Sequence, residues 1–220
     1  MTPLTETAPK KGYKIQAIIF DMDGVLIDAK EWHYEALNQA LALFGYTISR
    51  YDHLVTYDGL PTRQKLEMLT MERGLPVGLH GFINQMKQHY TMSYIFQRCK
   101  PVFYHEYALS KLRQAGYRLA VASNSVRQTV DMMMDKSHLQ PYLEFTLSNQ
   151  DVVKGKPDPE IYQTAMAKLG LPPEACLIVE DNEHGIRAAR AAGAHLLTVK
   201  HVEDVTYQAI TQRIAEIETL

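Results

Sequence analysis

The sequence predicts a doubly wound α/β fold: a Rossmann-like parallel sheet with an inserted α-helical cap domain. Three observations predict it. Five short apolar runs are nearly continuous rather than alternating, as strands covered on both faces must be. Helical patterns separate the last four runs, which is the order of crossover-connected parallel strands. The stretch between the first and second runs holds only helical periodicity.

Taken in order, residues 1–12 lack the apolar core of a signal peptide and read as a loose tail. Ile15–Phe20 is the first strand. Asp28 and Glu31 then resemble a capping box, opening a helix on which Trp32, Ala36, Leu37, Ala40, Leu41 and Phe44 recur at helical spacing. Thr62–Arg73 and Phe82–Arg98 are further helices, so 30–98 is expected to be the cap, and 13–29 with 99–220 the α/β core. The core resumes with a helix over Tyr104–Ala115, closed by Gly116, and a strand over Leu119–Ala122. There follow helix Ser125–Lys136, strand Phe145–Leu147, helix Pro159–Leu169 before Gly170, strand Leu177–Val179, helix His184–Ala192 before Gly193, and strand Leu196–Val199.

Composition narrows the class. The 220 residues are 46% hydrophobic and 22% charged, ordinary for a globular chain. A formal charge of −2 gives no basic footprint for nucleic acid. No apolar run approaches the roughly 20 residues of a membrane span. Cys99 and Cys176 lack metal-ligand spacing and read as free buried thiols, so a reducing cytoplasmic setting is expected.

Chemistry concentrates just past the strands, where open parallel sheets bind ligands. The first strand runs into F-D-M-D-G-V-L-I-D, Phe20–Asp28. Residues i and i+2 of an extended segment point the same way, so Asp21 and Asp23 face one volume with Met22 turned away. Carboxylates that close repel unless a cation lies between them or one keeps its proton. Either outcome is functional: a hard divalent metal, or an acid/base beside a nucleophile. Ser123, Asn124 and Ser125 follow the second strand, Lys156 lies in V-V-K-G-K-P-D-P-E after the third, and Glu180 and Asp181 follow the fourth. Singly these read as helix caps and turns. Together they supply carboxylates for a metal, small donors for an anion and one lysine, the equipment that a phosphate ester requires.

These four motifs, in this order, resemble the haloacid dehalogenase superfamily, in the branch with a helical cap after the first strand that includes β-phosphoglucomutase and related sugar-phosphate phosphatases. The resemblance runs from Ile15 to Val199. It implies Asp21 as nucleophile, Asp23 as general acid/base, and Ser123, the amide of Asn124, Lys156 and the Gly24 turn at the phosphate. It implies Mg²⁺ on Asp21, Asp181 and the carbonyl of Asp23, with Glu180 either a further ligand or the orienter of a metal-bound water. His33 falls where the mutase has a histidine that couples cap closure to the acid/base, and Arg63 and Lys65, in the segment Asp58–Lys65, suit a second anionic group. Gly59 and Arg63 stand one residue further apart than in the mutase pattern. The activity so implied is a Mg²⁺-dependent phosphatase for a small phosphorylated metabolite, a sugar or polyol phosphate, working through an aspartyl-phosphate. A sugar phosphomutase and a non-catalytic phosphometabolite-binding protein are the alternatives. Dehalogenation needs neither metal nor a second aspartate, so Asp23 and the acidic pair argue against it. A monomer or weak homo-oligomer is expected, with no nucleic-acid or membrane partner.

Overall fold

A computed structural model of the chain describes residues 15–57 and 60–219. The tail expected over 1–12 and the cap-loop pair Asp58 and Gly59 lie outside those residues. The described chain divides into two compact units, one of 15–27 with 100–219 and the other Asp28–Cys99.

The first unit is built on five parallel strands, β1 (Ala17–Phe20), β2 (Arg118–Ala122), β3 (Phe145–Leu147), β4 (Cys176–Glu180) and β5 (His195–Thr198). Their order is β3-β2-β1-β4-β5, so the first strand made is the central one. It pairs in register with both neighbours, Ile19 opposite Ala120 on one side and Ile178 on the other. Its helices are α5 (Phe103–Gln114), α6 (Arg127–Lys136), α7 (Glu160–Leu169), α8 (Glu183–Ala191) and α9 (Tyr207–Glu218). Alternate strand positions face opposite ways. Ala17, Ile19, Cys176 and Ile178 pack with Ile161, Tyr162, Ala165, Ala188 and Ala189 of α7 and α8. Ile18, Phe20, Leu119, Val121, Leu177 and Val179, the intervening positions, are equally buried, with α5 against β2 and α9 against β5. Both faces are covered, which is why these strands read as unbroken apolar runs.

The second unit is helical: α1 (Lys30–Ala42), the single turn α2 (Arg50–Asp52) leading into a π-helical segment His53–Tyr57, α3 (Thr62–Arg73) and α4 (His80–Arg98). Leu37, Ala40 and Leu41 of α1, Leu66 and Leu69 of α3 and Ile83 of α4 form its core with Ile48, Tyr57 and Leu75. Tyr57 also donates its hydroxyl to Glu72 at 2.8 Å, and burial together with that carboxylate pushes its phenol up to about 12.

Two local readings are corrected and one helix is added. The capping box at Asp28 does not form, because α1 begins one residue later than such a box requires; Ala29 is its N-cap and no side chain caps it. Ser123–Ser125 likewise does not cap the next helix: Val126 is the N-cap of α6, again with no side-chain bond. Helix α9 was not expected, although Ile210, Ile214 and Ile217 mark its buried face and the Thr206 hydroxyl caps it through the Ala209 amide. Both cysteines are free and buried. Among the described residues no helix is long and apolar enough to cross a membrane.

Candidate active site

Because all five strands are parallel, their carboxyl ends share one edge of the sheet. Asp21, Ser123 and Asp181 are the first residues beyond β1, β2 and β4, Glu180 is the last of β4, and Lys156 arrives on the loop from β3 to α7. The four clusters are thereby brought together.

The turn after β1 is closed by the Met22 carbonyl, which accepts from the amides of Leu26 at 3.0 Å and Ile27 at 2.9 Å. Gly24 supplies a φ of 89°, a value that costs a side-chain-bearing residue strain. The Gly24 amide, expected at the phosphate, donates within the turn to the Ile27 carbonyl at 2.7 Å. Met22 is fully buried, so Asp21 and Asp23 flank a residue turned into the core, as alternation requires.

Lys156 lies at the centre. Its Nζ donates to Asp21 Oδ1 and to Glu180 Oε1, both at 2.6 Å, and lies 4.7 Å from the centroid of the Tyr162 ring. Glu180 is held on every side. Its Oε1 also accepts from the Tyr162 hydroxyl at 2.5 Å, and its Oε2 accepts from the amides of Asp181 at 3.1 Å and Asn182 at 3.4 Å. The backbone carrying Lys156 is pinned by Asn124, whose Nδ2 donates to the Lys156 carbonyl at 3.1 Å and whose Oδ1 accepts from the Lys156 amide at 2.9 Å. A Cβ at Gly155 would come within 2.7 Å of that Oδ1, so the bond requires glycine there. Ser123 is buried and its Oγ accepts from the Ser125 amide at 3.0 Å, while the Ser125 hydroxyl donates to Asp23 Oδ2 at 2.8 Å.

The charges do not balance. Burial pushes the Asp21 carboxyl well above its ordinary value; Lys156 opposes this, but Glu180, Asp181 and Asp23 add to it. Burial would lower the Lys156 ammonium, yet the charges of Asp21 and Glu180 outweigh it and hold it above its ordinary value. Burial, followed by the charges of Glu180 and Asp21, raises the Tyr162 phenol well above its ordinary range, so it remains a donor. One ammonium faces a group of carboxylates. Asp21, Glu180 and Asp181 each offer an oxygen within 4.8 Å of the others, an all-oxygen set that fits a hard divalent cation.

His33, Arg63 and Lys65 belong to the second unit. The His33 ring nitrogen Nδ1 lies 3.3 Å from Nζ of Lys87, a buried lysine of α4 that the sequence did not single out. Lys65 is buried on α3. Arg63 has a side chain 87% exposed and pairs with Glu67 at 2.8 Å, four residues along the same helix. In the first unit, Tyr162 and the Asp23 contact of Ser125 were also missed. On its helix Tyr162 looks like any aromatic of a core-facing stripe.

A family model described as "Haloacid dehalogenase-like hydrolase" matches residues 18–199. The chain is 28% identical over 184 residues to a "Phosphorylated carbohydrates phosphatase" of Thermotoga maritima, covering 81% of this chain and 82% of that protein. Among solved structures it is similar to CbbY from Rhodobacter sphaeroides in complex with phosphate, with a TM-score of 0.74 at 24% identity over 84% of this chain and 85% of the other. It is also similar to β-phosphoglucomutase from Clostridium difficile, with a TM-score of 0.79 at 20% identity over 94% of this chain and all of the other (100%).

Proposed function

Since the chain belongs to the haloacid dehalogenase-like hydrolases, we propose that it is a Mg²⁺-dependent phosphatase of a small phosphorylated carbohydrate, a sugar or polyol phosphate, acting through an aspartyl-phosphate on Asp21. The observation that carries this is the convergence of Lys156, Glu180 and Asp181 on a buried aspartate at a strand end. The carbohydrate phosphatase relative supports the substrate class.

Asp21 attacks phosphorus in line and forms the covalent intermediate. Asp23, oriented by the Ser125 hydroxyl, gives a proton to the leaving alcohol and then takes one from the attacking water. Lys156 and Ser123 stabilise the phosphoryl oxygens, with the Asn124 amide, while the Asn124 side chain holds the lysine's backbone in place. Asp21, Asp181 and the Asp23 carbonyl are the residues that would hold Mg²⁺, which would supply positive charge to offset the repulsion of nucleophile and phosphate dianion. Of the three carboxylates that could hold a cation, Glu180 already accepts bonds on both oxygens from Lys156, Tyr162 and backbone amides, so we assign it to orienting these partners and leave the ion to Asp21 and Asp181. His33 and Lys65 are carried forward as proposed substrate contacts; Arg63, paired with Glu67 in solvent, has the weaker case.

No specific observation favours the mutase. The likeness to a mutase, at 20% identity, speaks to fold alone. A non-catalytic binder is disfavoured because Asp21, Asp23, Lys156 and Asp181 are all present.

The test is phosphate release over a panel of phosphorylated carbohydrates, with Mg²⁺ and with chelator, for wild type and Asp21→Asn. Wild type should release phosphate only with metal, and Asp21→Asn should lose several orders of magnitude with its fold retained. Full activity in chelator, or more than a few per cent in the variant, would refute the scheme.

A further inference from the structure

We propose that Tyr162 is a positioning residue for phosphoryl transfer: its hydroxyl fixes the Glu180 carboxylate and, through it, aims the Lys156 ammonium at the nucleophile. The inference rests on the phosphatase reading and deepens it by one residue.

The plain alternative is that Tyr162 fills the core. Its ring does pack among Ala17, Ile19, Ile161, Ala165 and Ile178, and phenylalanine would do that equally well. The hydroxyl is what needs an explanation. It is buried and donates at 2.5 Å to the same Glu180 oxygen that binds Lys156 at 2.6 Å. A carboxylate oxygen shared by a phenol and an ammonium fixes the angle between them, because each donor must approach along a lone pair.

Glu180 lies directly against the helix that follows it. A Cβ on Gly185 of α8 would lie 1.8 Å from Glu180 Oε1, so the carboxylate occupies space that only glycine leaves open. Its other oxygen is engaged by the amides of Asp181 and Asn182. Phenol, glycine surface and amides thus enclose one carboxylate, and its free lone-pair direction meets Lys156. An ammonium so directed reaches Asp21 Oδ1 and stabilises developing phosphoryl charge without reorganising at the moment of reaction. The face of the Tyr162 ring lies beside the same ammonium at 4.7 Å, a contact that phenylalanine retains. Tyr162→Phe therefore removes the hydroxyl alone.

Steady-state kinetics on an aryl phosphate with saturating Mg²⁺ test this. A lost hydrogen bond to a charged group corresponds to a fall in kcat of about tenfold or more for Tyr162→Phe, with KM within about twofold. The same substitution in a Glu180→Gln background should cost less than about twofold, because the group it acts through has changed. Gly185→Ala, which displaces the same carboxylate from the opposite side, should also lower kcat rather than raise KM. It supplies the second arm if Glu180→Gln does not fold. Unchanged kcat in Tyr162→Phe, beside an active wild type, overturns the inference alone. So does a loss that persists in full in the Glu180→Gln background. A wild type that releases no phosphate from any ester overturns the phosphatase reading, and this inference with it.

Discussion

Lys156 is nearly inaccessible to solvent and touches two carboxylates, whereas Lys154, two residues earlier, has a side chain 72% exposed. The contrast sets an expectation for stability. Removing one member of a buried ionic group leaves the others uncompensated, so Lys156→Ala should destabilise the metal-free protein by about 3 kcal/mol. Lys154→Ala, at a loose surface pair, should change it by less than about 0.5 kcal/mol. Urea denaturation of both variants in chelator decides the matter; equal effects would mean that the buried triad adds nothing to the fold. Asp21 and Asp181 were legible because polar groups just past apolar runs stand out, and Lys156 because it sits in the K-P-D-P turn between a strand and a helix. Tyr162 and Gly185 were not. Tyr162 matters for a hydroxyl placed against Glu180 and Gly185 for the Cβ it lacks there, and that carboxylate comes from a strand on which neither residue lies.

Segments between elements are fixed by similarly local chemistry. After β3, Asp151 Oδ2 accepts from the amide and the hydroxyl of Ser148, both at 2.7 Å, and from Arg127 at the start of α6. Burial would raise the Asp151 carboxyl, but the Ser148 bonds and the Arg127 charge hold it below its ordinary 3.8. A depressed carboxylate contributes stability that is full above its unfolded value and lost as pH falls through its folded value. Ser148→Ala should therefore cost about 1.5 kcal/mol near neutrality. The gap from wild type should narrow as pH falls below 3.8 and through the lower folded value, leaving the part due to the Gln150 amide, which also donates to the Ser148 hydroxyl. Urea titrations on both sides of that pH would show it, and a gap constant with pH would contradict the assignment. The elements were readable where the apolar periodicity is clear. Strand Phe145–Leu147 and helix Thr62–Arg73 have the bounds that the sequence implied. Helix α9 escaped because its three buried isoleucines are spread among polar residues and no glycine or proline marks its start. The capping box failed because a cap depends on a helix's first residue, and an apolar pattern fixes that only to within a turn.

At the scale of the molecule, the surplus of carboxylates at the sheet edge makes the metal-free fold carry charge repulsion that a cation would relieve. Mg²⁺ at a hundredfold excess over its dissociation constant should stabilise wild type by about 2.7 kcal/mol. Asp181→Ala should lose most of that gain, as read from thermal unfolding with Mg²⁺ and with chelator. An equal gain in the variant would place the ion elsewhere. The strand order has a further consequence, for the protein as it is being made. A ribosome releases β1 first, yet its partners begin at Arg118 and Cys176. The whole helical unit, complete by Cys99, emerges before either of them. Parallel strands so distant in sequence close slowly. The wholly apolar β1 is therefore made well before either of its sheet neighbours. Ala17–Phe20 is the segment that a nascent-chain chaperone would be expected to cover in that interval.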